Sequence, residues 1–131
     1  MAYSAEMPGV PLTVVETPQF VRQADDVWTN AERHEFVDFI ARNPDAGDVI
    51  QDTGGVRKVR WRRQGTGKRG GVRVIYFYYN PTTPLFLLMI YAKALREDVT
   101  PEAKTALAEF AARIKRAARM RRGRRDEQVQ S

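Results

Sequence analysis

Two β-rich runs, residues 72–79 and 85–92, stand only five residues apart, and the segment between them is Asn80-Pro81-Thr82-Thr83-Pro84. A short Pro/Asn connection between runs of branched and aromatic residues predicts an antiparallel hairpin. The second run, Leu-Phe-Leu-Leu-Met-Ile-Tyr-Ala, carries no charge on either face. Such a strand belongs in the middle of a sheet, covered on both sides. It is far shorter than the roughly 18 apolar residues that span a membrane.

The rest of the chain supplies the cover. Residues 12–16 (Leu-Thr-Val-Val-Glu) read as a short strand, and Thr17-Pro18 as an N-cap followed by proline at the first helical position. That short helix would bury Phe20, Val21 and Ala24. Thr29 and Glu32 have capping-box spacing and open a second helix to about Arg42, with Phe36, Phe39 and Ile40 inward. Asn43-Pro44-Asp45 ends it. Residues 47–50 form a further short strand, and Thr53-Gly54-Gly55 a turn. Thr100-Pro101-Glu102 repeats the cap-then-proline signal and starts a last helix with Leu107, Phe110 and Ile114 on its core stripe. The order β-α-α-β-β-β-β-α predicts an α+β fold with a mainly antiparallel sheet. At 131 residues and 43 % hydrophobic content this is one domain with one core. Residues 1–11 read as a loose leader with neither the basic nor the apolar region of a signal peptide. The domain is expected over 12–119, and 120–131 as a basic tail.

Charge is divided along the chain. Residues 1–56 carry 3 Lys/Arg against 10 Asp/Glu, whereas residues 57–131 carry 19 against 6. A chain split this way presents a strongly positive surface, which suits a polyanion. Several chemistries are excluded. There is no cysteine, and the single histidine, His34, sits inside a helix with no partner ligand at helical spacing. Zinc sites and a Ser-His-Asp arrangement therefore lack their parts. Gly65-Thr66-Gly67-Lys68-Arg69-Gly70 matches G-x-G-x-x-G, but β-rich sequence follows it instead of the helix that would hold a pyrophosphate. Nothing in the sequence calls for a cofactor or a metal.

The strongest local signal is the segment 57–73, with Arg57, Lys58, Arg60, Arg62, Arg63, Lys68, Arg69 and Arg73 and no acid among them. Residues 56–63 alternate, so Lys58, Arg60 and Arg62 line one face of a strand and Val59 and Trp61 the other. Like charges in a row repel unless an anion is nearby. A phosphate backbone meets that need, since arginine can grip phosphate oxygens with both arms of its fork. Aromatic residues follow closely, and any that are exposed would stack on unpaired bases.

The segment GGVRKVRWRRQGTGKRGGVRVIYFYYNPTTPLFLLMIYAKALREDVTPEAK resembles the heart of the RelE/HigB-type toxins of bacterial toxin–antitoxin systems. The resemblance lies in a basic strand (57–63), a Gly/Lys/Arg loop (65–71), an R-V-I-Y strand (73–76), an I-Y-A-K strand end (90–93) and an E-D-V-T-P helix start (97–101). It implies a RelE-like fold and a cytoplasmic endoribonuclease that cleaves mRNA in the ribosomal A site. It also implies neutralisation by an antitoxin, expected to be a helix-turn-helix DNA-binding protein, with no membrane partner. Carried over by motif, the catalytic residues would be Lys58, Arg60, Arg73 and Lys93. Arg57, Arg62, Arg63, Lys68, Arg69 and Tyr91 would bind RNA. The best-studied branch has a catalytic tyrosine beyond its last strand, and here no tyrosine follows Tyr91.

Such chemistry does not require histidine. The 2′-OH must lose a proton as it attacks the adjacent phosphorus, the phosphorane must be stabilised, and the 5′-oxygen must gain a proton. Arginine is too basic to accept one. A lysine among other cations becomes easier to deprotonate, so Lys58 or Lys93 can share the proton transfers. Three other readings stand beside this one. They are a gyrase inhibitor of the related ParE branch, a nucleic-acid-binding protein without catalysis, and an interaction protein for an acidic partner. The basic run 113–125 reads as a helix end that frays, or as an added grip on ribosomal RNA.

Overall fold

The computed structural model describes residues 12–62, 71–93 and 98–130, with side chains to residue 124. Eight elements follow in the expected order: β1 (Val14–Glu16), α1 (Pro18–Val27), α2 (Asn30–Arg42), β2 (Asp48–Val49), β3 (Val56–Trp61), β4 (Val72–Phe77), β5 (Leu85–Ala92) and α3 (Pro101–Gln130). The sheet runs β1-β5-β4-β3-β2. β1 pairs with β5 in parallel and every other pair is antiparallel. The uncharged strand β5 is thus interior, as its composition requires.

The cap signals act as read. Thr17 Oγ1 accepts from Phe20 N–H at 3.4 Å while its own hydroxyl donates to Leu87 O at 2.8 Å, so one residue both starts α1 and pins it to β5. Thr29 and Glu32 form the reciprocal capping box at 2.9 and 3.1 Å. Thr100 Oγ1 accepts from Ala103 N–H at 3.1 Å at the head of α3. α3 then runs through residue 119 without a break to Gln130, so the basic run is helical. Residues 1–11, the expected leader, lie outside the described residues.

Two apolar layers sandwich the sheet. On one face Phe20, Ala24, Trp28, Phe36 and Ile40 of the α1–α2 pair pack on Val72, Val74, Tyr76, Leu85, Leu87 and Ile90. On the other, Val99, Leu107 and Ala111 cover Val56, Ile75, Phe77, Leu88, Met89 and Tyr91. Leu87 and Met89 share a parity yet face opposite layers. The cause is a bulge: the register steps from Ile75↔Met89 to Tyr76↔Leu87, so Leu88 is an extra residue on β5. Without it Tyr91 would point to the α1–α2 side with Leu85 and Leu87.

Two close approaches fix the edges. Gly71, at φ +88°, enters β4 so tightly that a Cβ would stand 2.6 Å from Trp61 O. A Cβ on Gly47 would meet Lys58 O at 2.8 Å. Beside Gly47 the buried Tyr76 hydroxyl donates to Pro44 O at 2.7 Å and accepts from Gly47 N–H at 2.8 Å, tying the α2–β2 turn to the core.

Candidate functional site

Strand register places Arg60, Arg73 and Tyr91 directly opposite one another across β3, β4 and β5. All three project from the face that α3 covers, and Lys58, opposite Ile75, lies one step along β3 on the same face. Lys93 follows Tyr91 just past the end of β5; its side chain is exposed and its amide donates to Gly71 O at 3.3 Å. The bulge in β5 is therefore what puts Tyr91 into this rung.

The environment of Arg73 is unusual for a cation. It is only 9 % exposed, and the one hydrogen bond of its side chain among the described residues is from Nη1 to Val72 O at 3.3 Å. No described carboxylate pairs with Arg73 or with Arg60 opposite it. A desolvated guanidinium facing a second arginine is costly unless an anion joins them. Arg60 itself is exposed, so the rung sets one buried and one open arginine side by side, a positive surface with no described counter-charge.

Lys58 differs. Its Nζ lies 3.4 Å from Asp98 Oδ1, at the head of α3. Asp98 also accepts from Val99 N–H at 2.8 Å, and that hydrogen bond, followed by Lys58, holds its carboxyl below the ordinary 3.8 despite some opposing burial. The expectation that Lys58 would sit only among cations is thus corrected: a carboxylate from 40 positions along the chain anchors it. The only hint in the sequence is that Asp98 belongs to the E-D-V-T-P helix start.

Other expected RNA contacts are not brought here. Arg57 has the opposite parity and turns to the α1–α2 side, where it donates to Gly47 O at 2.7 Å and pairs with Asp45 at 3.4 Å. Its half-buried side chain braces the α2–β2 turn. Arg62, past the end of β3, pairs with Glu35 of α2 at 2.9 Å and lies 5.7 Å over the Trp61 ring. Tyr91 is buried, so it offers no open face for a base to stack on. Of the other aromatics near the basic segment, Trp61 packs against Phe36 and Phe39, and Tyr79 stacks on Phe77. Arg63, Lys68 and Arg69 lie outside the described residues.

Among the described residues no helix is long and apolar enough to cross a membrane. The structure of a double mutant of the E. coli toxin RelE in its free state is similar to this chain at 10 % sequence identity. That match covers 67 % of this chain and 90 % of the other, with a TM-score of 0.48. The family model described as the RelE toxin of the RelE/RelB toxin–antitoxin system matches residues 20–125. That span takes in both sheet layers and the whole rung of Arg60, Arg73 and Tyr91, and the chain belongs to the RelE toxin family.

Proposed function

We propose that this toxin is a ribosome-dependent endoribonuclease that cuts translated mRNA beside a ribose, using the cross-strand Arg60–Arg73 pair to hold the reacting phosphate. The observation that carries this reading is the buried guanidinium of Arg73, which lacks an ion pair among the described residues and faces a second arginine. In the reaction the 2′-oxygen bonds to phosphorus and the bond from phosphorus to the 5′-oxygen breaks. Arg60 and Arg73 stabilise the charge that builds on the phosphorane oxygens, usually the largest single contribution to such catalysis. Lys58 and Lys93 flank them and share the proton transfers: one proton leaves the 2′-OH and one reaches the departing 5′-oxygen. Asp98 holds the Lys58 ammonium in place. Tyr91 supports the Arg73 side chain from the next strand, since its burial leaves it no stacking surface.

A site with such weak acid and base groups depends on substrate alignment, and an mRNA held in the ribosomal A site is already aligned. The reading implies a cytoplasmic protein and a cognate antitoxin, proposed to be a helix-turn-helix DNA-binding protein, that neutralises it. The test is mRNA cleavage in a reconstituted translation reaction, with and without ribosomes, with 5′ ends mapped by primer extension. Cuts in the translated frame that vanish without ribosomes are expected. RNA binding without cuts under either condition overturns the enzyme reading. Intact cleavage by both the Lys58→Ala and Arg73→Ala variants overturns the residue assignment.

A further inference from the structure

The basic run of α3 takes no part in the rung. Between Glu109 and Asp126 the helix carries eight basic residues and no acidic one. Lys115, Arg119 and Arg122 stand at i, i+4 and i+7 and so share one face, a spacing at which like charges repel. No described carboxylate pairs with any of the three. Arg119, Arg121 and Arg122 line a small, mostly polar recess of about 60 Å³, bounded on its other side by Tyr79, Asn80, Thr82 and Thr83 of the β4–β5 turn. Asn80 Oδ1 already accepts from Thr82 N–H and Oγ1–H, each at 3.0 Å, so its amide nitrogen is the end left to donate into the recess.

We infer that this recess is a second phosphate site, which grips RNA backbone away from the bond being cut. The distance follows from the strand. Arg73 is the second residue of β4 and Tyr79 lies six residues on, just past its end, about 20 Å at about 3.3 Å per residue. Both sites are on the α3 side of the sheet, because Tyr79 packs in the same layer as Tyr91. One polyanion can therefore lie along that side and touch both. Arginine forks beside neutral amide and phenol donors suit phosphate oxygens. The recess has no apolar pocket for the buried aromatic or aliphatic anchor that a protein partner would insert. The choice of RNA rests on the function proposed above, and its contribution is to binding, not to the chemical step.

The test uses the full chain, an Arg119→Gln/Arg122→Gln variant and a charge-preserving Arg119→Lys/Arg122→Lys variant. Glutamine, lysine and arginine have similar helix propensities, and circular dichroism checks that α3 persists. Binding to a short fluorescent RNA hairpin is titrated between about 50 and 200 mM salt. Two lost phosphate contacts should flatten the log–log salt slope of the glutamine variant by about 1.4 to 1.8. Its affinity should fall equally for hairpins of different sequence, and the lysine variant should keep most of the slope. In the translation reaction KM should rise with kcat unchanged. A glutamine variant with intact helicity and an unaltered slope overturns the site. The titration needs no cleavage, so it decides this point even if the protein proves not to be an enzyme.

Discussion

Replacing Arg73 by methionine should make the free protein more stable and the toxin inactive. Methionine keeps the length of the buried stem and removes the charge. The gain has two parts. Arg73 is 9 % exposed and its side chain makes a single hydrogen bond of 3.3 Å among the described residues, so its desolvation is poorly compensated. It also faces Arg60 directly across β3 and β4, and like charges so placed cost up to about 1 kcal/mol. Isosteric apolar replacement of poorly compensated buried charge typically stabilises by about 1–4 kcal/mol. A net gain of about 1–3 kcal/mol is expected here, because the lost hydrogen bond offsets part of it. At about 2.1 cal/mol/K per residue, unfolding a chain of 131 residues carries about 0.27 kcal/mol/K, so Tm should rise by about 4–11 °C. Losing a preorganised donor to the phosphorane should lower kcat by about 10²–10³. Differential scanning calorimetry and the translation cleavage assay read the two effects on the same preparation. A variant that melts lower than the parent would refute the reasoning, because it would make Arg73 a structural cation whose anchoring outweighs its strain.

Two further outcomes follow from the geometry. Tyr76→Phe orphans the buried Gly47 N–H and weakens the Pro44 turn, at about 2 kcal/mol or a Tm about 7 °C lower. Burial raises the Tyr76 hydroxyl above its ordinary 10.0, so the parent keeps its full contribution below that pH and loses it as pH rises through the folded value; the variant, followed by alkaline denaturation, should lack that fall. Asp98→Asn should change stability at neutral pH by less than about 0.5 kcal/mol, because its pair with Lys58 is largely exposed. Since the Asp98 carboxyl is held below 3.8, its contribution is present above that value and lost as pH falls through the folded one, so acid titrations of parent and variant should converge at low pH.

Much of the fold was legible because its signals are local. Thr17-Pro18, Thr29 with Glu32 and Thr100-Pro101 each mark a helix start through atoms within four residues, and the 80–84 turn sets the hairpin. The candidate site was legible only in part. Alternation along β3 correctly set Lys58 and Arg60 on one face. It set Arg62 there too, but β3 ends at Trp61 and Arg62 turns to Glu35 of α2, and it could not reveal the partners of Arg57, Asp45 and Gly47, which lie a turn away. The bulge at Leu88 leaves no trace in the sequence: β5 is apolar on both faces, so its period is silent about where a residue is added. The position of Tyr91 beside Arg73 rests on that silent feature, as the Lys58–Asp98 pair rests on a contact across 40 positions.

The division of charge along the chain takes on meaning once the cations are sorted by partner. Acids of the first half neutralise the basic residues that turn to the α1–α2 side: Asp45 holds Arg57 and Glu35 holds Arg62. Those cations serve the fold. On the α3 side the described acids do not reach Arg60, Arg73 or the Lys115–Arg119–Arg122 stripe, and Asp98 reaches only Lys58. The sheet thus separates a compensated face from an uncompensated one. A rigid β4, tied to β3 and β5 along its length, holds Arg73 buried on the α3 face of the sheet, while Arg60, Arg119 and Arg122 stand exposed on that side with no described carboxylate partner. Charge held in this way is strain in the free protein and preorganisation toward a phosphate, since the cost of gathering the cations is met in folding and not at the moment of reaction. That is why the Arg73→Met experiment must read stability and catalysis together: the argument requires them to move in opposite directions.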